Sequence, residues 1–135
     1  MRRKFSLLKN LLPAIVWAIF ILVLTTLSNG GFVSQNLLGI ATDKLGHAFI
    51  FGVLVFFIMQ ALIKLWRFSF FLRKIQIIAF FIGVGYGCLI ELIQLYIVTY
   101  RQAEWGDVMA NIIGCFIGLI MFNSVYGNLK FLDKE

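Results

Sequence analysis

Four long apolar runs, joined by short polar connections, limit the possible folds of this chain more than any other feature. A helix needs roughly 20 apolar residues to cross the bilayer core, which is about 30 Å thick. Because backbone groups cannot stay unpaired in lipid, and because the runs lack the strict alternation of barrel strands, we expect transmembrane helices. The four predicted spans cover residues 11–27, 45–63, 75–98 and 108–122.

The composition favours one small membrane domain. Hydrophobic residues make up 61% of the 135 residues and charged residues only 13%, whereas about a quarter of the residues in a soluble domain are charged. We therefore expect an all-α, polytopic membrane protein whose domain is a four-transmembrane-helix bundle. In this division residues 1–10 form a basic cytoplasmic lead, residues 11–122 the transmembrane domain and residues 123–135 a cytoplasmic tail.

The positive charges are distributed unevenly among the connections. Of the 12 Lys and Arg residues, only Lys44 and Arg101 lie in the first and third connections, and all the others flank the opposite ends of the runs. Cytoplasmic loops carry such an excess, so both termini are expected on the cytoplasmic side. The net charge of +6 is thus explained by topology, and a nucleic-acid partner is not predicted.

Both cysteines, Cys88 and Cys115, fall within predicted spans. A disulfide framework requires a small, loop-rich extracellular fold, which this chain is not. We expect two buried free thiols that behave as small hydrophobic side chains.

The second run opens with Asp43, Lys44 and His47. Asp43 and His47 are four residues apart, so they share one face of a helix. Asp43 also fits an N-cap, and Lys44 fits a side chain that extends to the membrane surface. An ionisable residue within a span costs about 2.5–3.5 kcal/mol on insertion scales and usually has a function, which favours a functional role for His47.

Glu91 and Gln94 lie within the third run, and Glu91 continues the face of Gly83 and Gly87. A G-x-x-x-G pair permits close helix approach. A buried glutamate on this face indicates either a functional site or a packing hydrogen bond to a neighbouring helix, and both interpretations stay open.

Asp107 and Asn111 open the fourth run on the same stripe as Gly114 and Gly118. Small residues mark a helix face that contacts other helices, so the two polar side chains are expected to point into the bundle. Asp107 also fits an N-cap.

Alternate crossing of the membrane brings these residues to one level, the outer half of the bundle, while the inner half is expected to contribute none. This convergence predicts a polar pocket that opens to the outside. Its predicted binding residues are Asp43, Lys44, His47, Glu91, Gln94, Arg101, Asp107 and Asn111.

Three motifs carry a resemblance to a known family. They are D-K-x-x-H at 43–47, E-x-x-Q at 91–94, and R-x5-D-x3-N-x2-G-x3-G at 101–118. In this order they resemble the VanZ-like family of bacterial membrane proteins, over roughly residues 11–122. The resemblance implies a multi-pass protein of the bacterial cytoplasmic (inner) membrane with a role at the cell envelope. The family is named for tolerance to the glycopeptide antibiotic teicoplanin, and the resemblance specifies no reaction.

A first functional hypothesis is that the pocket binds, and in one version also processes, an envelope lipid or amphiphile that enters from the outer leaflet. Arg101 is the residue expected to meet a phosphate or carboxylate, because its guanidinium binds such groups bidentately. Asp43, Glu91, Glu104 and Asp107 outnumber Lys44 and Arg101. An anionic headgroup therefore needs a bridging cation or protonated carboxylates.

A second hypothesis is a membrane-embedded enzyme. His47 and Glu91 are of the right types for an acid/base pair, and together with Asp107 they are of the right types for a divalent metal. No cofactor is predicted, although a divalent metal is left open, and no motif of high catalytic specificity is present.

A third hypothesis is a structural subunit. The polar residues then only fix the helices to one another, in a homo-oligomer or a larger envelope complex. A small transporter is disfavoured, because no polar path is expected through the inner half.

Overall fold

The computed structural model describes residues 2–27, 36–37, 40–66, 72–97 and 105–126. It contains four long helices: α1 (Arg2–Leu27), α2 (Thr42–Trp66), α3 (Leu72–Ile97) and α4 (Trp105–Tyr126). Two short strands, β1 (Asn36–Leu37) and β2 (Ile40–Ala41), pair antiparallel directly before α2. The predicted all-α fold class is confirmed, since this two-residue pairing lies in a connection.

Each helix contains a segment long and apolar enough to cross a membrane: Leu8–Thr26, Asp43–Leu65, Leu72–Ile97 and Trp105–Tyr126. The helices extend beyond most of the predicted spans, and α1 already begins at Arg2. Lys, Arg and Leu are good helix formers, so the basic lead continues the helix past the apolar run. The last predicted residue of the third span, Val98, lies outside the described residues.

The helix directions follow from contacts that recur along the chain. His47 and Gln60 of α2 contact Asn111 and Tyr126 of α4, so these two helices run parallel. Glu91 of α3 lies near the start of α4 and Gln76 near its end, so α3 runs antiparallel to α4. The bundle therefore has one end at which α2 and α4 begin and α3 finishes, called the polar end below.

Helices α2 and α4 approach to backbone contact. A Cβ atom at Gly114 would overlap the carbonyl oxygen of Ala48, and one at Gly118 would overlap the carbonyl oxygen of Gly52. Without a hydrophobic force between helices in lipid, such close packing of small residues drives their association. The predicted packing face of α4 is confirmed, and its partner is the pair Ala48 and Gly52, four residues apart on α2.

Helix α3 packs against both α2 and α4 through the predicted face of Gly83 and Gly87. A Cβ at Gly83 would meet the side chains of Val55 and Cys115, and one at Gly87 would meet those of Asn111 and Phe51. Cys115 is buried as expected, whereas Cys88 is exposed on α3. The expectation of two buried thiols was therefore wrong for Cys88, because an apolar run does not reveal which of its faces meets lipid.

Helix α1 joins the bundle through side-chain hydrogen bonds to backbone carbonyls. Trp17 Nε1 donates to the carbonyl of Ile50 at 2.9 Å. The Tyr86 hydroxyl donates to the carbonyl of Ala18 at 2.6 Å. These bonds fix α1 against both α2 and α3.

The end opposite the polar end also carries paired polar side chains. Gln60 Nε2 donates to the Tyr126 hydroxyl at 2.6 Å, and Gln76 Nε2 donates to Asn123 Oδ1 at 2.7 Å. The expectation that this half contributes no polar groups was wrong. Uncharged amides inside apolar runs are less conspicuous than ionisable residues, and here each one is satisfied by a residue of α4.

We expect Gly114→Ala to destabilise the bundle by about 1–3 kcal/mol, a cost typical of overpacking, because the added methyl group meets the backbone of α2. Gly85→Ala is the matched control, since nothing lies within 4 Å of a Cβ at that position. Thermal unfolding of the purified protein in detergent measures both effects. Equal melting temperatures for the two variants would contradict the close α2–α4 contact.

Candidate functional site

Seven of the eight predicted binding residues lie together at the polar end, and Arg101 lies outside the described residues. The starts of α2 and α4 and the last turns of α3 supply all seven. We call this set the polar cluster: Asp43, Lys44, His47, Glu91, Gln94, Asp107 and Asn111. Five of its members are buried, namely His47, Glu91, Gln94, Asp107 and Asn111.

A chain of three side chains from three helices forms the buried centre of the polar cluster. His47 Nδ1 lies 2.9 Å from Asn111 Oδ1. Asn111 Nδ2 donates to Glu91 Oε1 at 3.4 Å. His47 Nδ1 is also 3.9 Å from Glu91 Oε1. The imidazole and the buried acid therefore face one another inside the bundle, with the amide bridging them.

The donors and acceptors of this chain determine the protonated nitrogen of His47. The Asn111 amide turns its NH₂ group to Glu91 and its oxygen to His47, and an amide oxygen only accepts hydrogen bonds. His47 Nδ1 must then carry a proton and donate to Asn111 Oδ1. The other ring nitrogen, Nε2, lies 4.0 Å from Asp43 Oδ1.

Lys44 and Asp107 link the first turns of α2 and α4. Lys44 Nζ lies 3.5 Å from Asp107 Oδ1, and the side chains are 34% and 3% exposed. This is an ion-pair distance without hydrogen-bond geometry, because Asp107 Oδ1 is buried and accepts no hydrogen bond within the described residues. Gly106 makes room for this contact, since a Cβ there would meet the end of the Lys44 side chain.

The structure locates Asp43 and Asp107 relative to the starts of their helices, and Lys44 relative to Asp107. Asp43 is the second residue of α2 and Asp107 the third residue of α4, so both lie inside the first turn rather than at the N-cap. An acid in this position interacts favourably with the helix dipole. Lys44 is only one-third exposed and contacts Asp107, so it does not simply extend to the membrane surface.

Gln94 connects the polar cluster to α1. Its Nε2 donates to the carbonyl of Thr25 at 3.2 Å, and Thr25 itself is buried. The Gln94 Oε1 atom is buried and has no hydrogen-bond partner in the part of the chain that the structure describes. Sequence reasoning missed both Thr25 and Gly106. A Thr-Thr pair near the end of the first run and a glycine directly before Asp107 were the available signals.

Three members of the polar cluster offer ligand atoms that all lie within 4.8 Å of one another: Asp43, His47 and Asp107. The sequence-based set contained Glu91 instead of Asp43. In the structure Glu91 approaches the Nδ1 side of the imidazole, whereas Asp43 approaches Nε2. The i, i+4 spacing of Asp43 and His47 accounts for this arrangement. One nitrogen and two carboxylate donors are a set that divalent metals accept.

We expect Asn111→Leu to lower the free energy of unfolding by about 1–3 kcal/mol, the typical cost of removing one partner of a buried hydrogen bond, because His47 and Glu91 both contact the Asn111 amide. Asn123→Leu is the matched control, since Asn123 lies on the same helix and its hydrogen bond to Gln76 is exposed. Denaturant titration followed by circular dichroism compares them. An equal loss in both variants would show that the buried chain contributes no special stability.

The comparisons with known proteins agree with this architecture. No curated protein and no solved structure matches the chain. The family model described as VanZ/LLP1 matches residues 3–126, which is nearly the whole chain and includes all four helices apart from the first residue of α1. The resemblance carried by the three motifs is thereby confirmed, and the chain belongs to the VanZ/LLP1 family.

Proposed function

We propose that this multi-pass membrane protein acts at the bacterial cell envelope by binding the headgroup of an envelope lipid or amphiphile at the polar cluster. One observation carries the proposal: side chains from three helices, most of them ionisable, meet at one end of the bundle. The link of the family to glycopeptide resistance supports an envelope role. A role for this chain in resistance to glycopeptide antibiotics is included in the proposal.

The cost of the polar cluster supports a function beyond helix packing. An ionisable side chain within a span costs about 2.5–3.5 kcal/mol on insertion scales. Replacing buried ion pairs by apolar residues of similar volume is often neutral or stabilising. Below the polar cluster the same helices pack through glycines and an apolar core that includes Phe51, Leu54, Val55 and Met59. Helix packing alone therefore does not require the buried Glu91 and His47.

The burial pattern indicates how a headgroup reaches the polar cluster. The side chains of Asp43 and Lys44 are 27% and 34% exposed, while His47 and Asp107 lie buried next to them. A headgroup at the membrane surface thus meets Asp43 and Lys44 first. The hydrogen-bonded His47, Asn111 and Glu91 side chains lie buried beneath these two residues.

The charge balance restricts the chemistry of the ligand. Among the described members of the polar cluster, three carboxylates accompany the single ammonium group of Lys44. A bare anionic headgroup is repelled by this balance. The proposed ligand therefore brings positive charge with it, either as its own ammonium group or as a bound cation.

A second candidate function, acid–base catalysis on the bound amphiphile, is favoured by one observation. The buried His47 Nδ1 and Glu91 Oε1 are 3.9 Å apart, and a buried imidazole–carboxylate pair is a common acid/base arrangement. Mass spectrometry that finds a lipid product of changed mass with the wild-type protein, but not with His47→Gln, would favour this candidate over simple binding.

The proposed orientation, with the polar end facing outward, is tested by cysteine labelling. In a variant without Cys88 and Cys115, we expect Trp105→Cys to react with a membrane-impermeant maleimide added to intact cells, because Trp105 is 85% exposed at the polar end. The control Ser124→Cys, exposed near the other end of α4, should react only after permeabilisation. The reverse pattern would place the polar end on the cytoplasmic side and contradict entry from the outer leaflet.

Mass spectrometry of co-purified lipid tests ligand binding. We expect the wild-type protein to retain an amphiphile that Asp43→Asn and Glu91→Gln lose at least several-fold, because each variant removes one charge with little change in shape. Gln76→Leu, far from the polar cluster, is the control and should retain it. Equal retention by all four proteins would contradict binding at this site, provided that circular dichroism shows each variant to be folded.

A further inference from the structure

We infer that Asp43, His47 and Asp107 form a divalent-cation site of the zinc type, whose open coordination position takes a phosphate or carboxylate oxygen of the headgroup. The second part of this inference rests on the proposed function, whereas the cation site itself does not. Three protein ligands and one open position are the usual composition of a zinc site that binds a further group.

The three donor atoms lie near one another, although farther apart than around a bound ion. The three donor atoms lie within 4.8 Å of one another, and His47 Nε2 is 4.0 Å from Asp43 Oδ1. In a tetrahedral zinc site with bonds of about 2.0–2.2 Å, neighbouring donors are about 3.4 Å apart. A bound ion would therefore draw these donors together by up to about 1.4 Å.

The state of the imidazole is the second, independent observation. Because Glu91 orients the Asn111 amide, His47 Nδ1 donates its proton to Asn111 Oδ1. In the neutral form of this tautomer, the lone pair of Nε2 lies on the side of the Asp43 carboxylate, where the two groups can coordinate the same cation. Metal-ligating histidines typically donate their other N–H to a carbonyl or carboxylate in this way.

Asp107 supplies the third donor and also identifies a competitor. Its Oδ1 is buried and accepts no hydrogen bond within the described residues, and the Lys44 ammonium lies 3.5 Å away. Lys44 is one-third exposed, and a lysine side chain of this kind can move its charge into water while its stem stays packed. A divalent cation would thus displace the ammonium from Asp107.

The cation also reduces the negative charge of the polar cluster. With the Lys44 ammonium displaced, a divalent ion would supply two positive charges against the three carboxylates Asp43, Glu91 and Asp107. Its open coordination position would then accept an anionic headgroup that the bare carboxylates repel. The mixed nitrogen and oxygen donors suit Zn²⁺ and Mn²⁺ better than Ca²⁺, which prefers oxygen ligands alone.

Titration of the purified protein in detergent with Zn²⁺ alone tests the cation site, with Mn²⁺ and Ca²⁺ as comparison ions and no lipid added. We expect one zinc ion per chain. We expect Asp43→Ala and Asp107→Ala to weaken zinc binding at least tenfold, and the control Gln76→Leu to leave it unchanged.

Lys44→Met is the most discriminating variant, because loss of a competing ammonium should increase the affinity for zinc several-fold. A misfolded protein cannot produce such a gain. Failure of the wild-type protein to bind zinc stoichiometrically would overturn the inference. It would also be overturned by unchanged binding in both aspartate variants, or by unchanged or weaker binding in Lys44→Met.

The cation site and the proposed function can fail separately. An amphiphile that is retained in excess chelator by a protein that binds no zinc overturns the cation site and leaves headgroup binding intact. Zinc binding without any retained amphiphile supports the cation site and contradicts the proposed function.

Discussion

The backbone contact between α2 and α4 is the constraint on which the rest of the structure depends. Ala48 and Gly52 meet Gly114 and Gly118 so closely that even a methyl group would collide with the facing backbone. The parallel direction of the two helices puts both of their first turns at the same end. His47 directly precedes Ala48, and Asn111 lies three residues before Gly114. Small residues that bring two backbones together thus also bring the imidazole within hydrogen-bond distance of the amide.

Two parallel helix starts also explain part of the chemistry of the polar end. Each helix N-terminus carries about half a positive charge, and two of them side by side repel one another. Asp43 and Asp107 in the first turns offset this repulsion, so their presence alone requires no ligand. Glu91 and His47 are different, because Glu91 lies well inside α3 and His47 a full turn into α2. A function at the polar end is therefore indicated chiefly by these two residues and by the Asn111 amide that connects them.

The sequence predicts the number of helices, their approximate bounds and the level of the polar residues, because run length and alternate crossing determine all three. It also identifies the packing faces of α3 and α4, since glycine stripes are visible in the sequence. The contacts made by α1 are not predictable in the same way. Lipid and bundle core are both apolar, so the hydrophobic pattern does not reveal which face of a helix turns inward. The exposure of Cys88 and the Gln94–Thr25 contact were missed for this reason. The Gln60–Tyr126 pair was missed because an uncharged amide inside an apolar run is less conspicuous than an ionisable residue.

The two edges of the His47 ring face different surroundings. Asn111 holds Nδ1 and is itself held by Glu91, so this edge is already engaged inside the protein. The Nε2 edge faces Asp43 on the partly exposed side, where Lys44 and Asp107 also lie. Any cation, proton or headgroup that His47 serves must therefore approach Nε2. If the protein is an enzyme, His47 is its reacting group, and Glu91 acts through Asn111 as a positioning residue rather than as a direct proton acceptor.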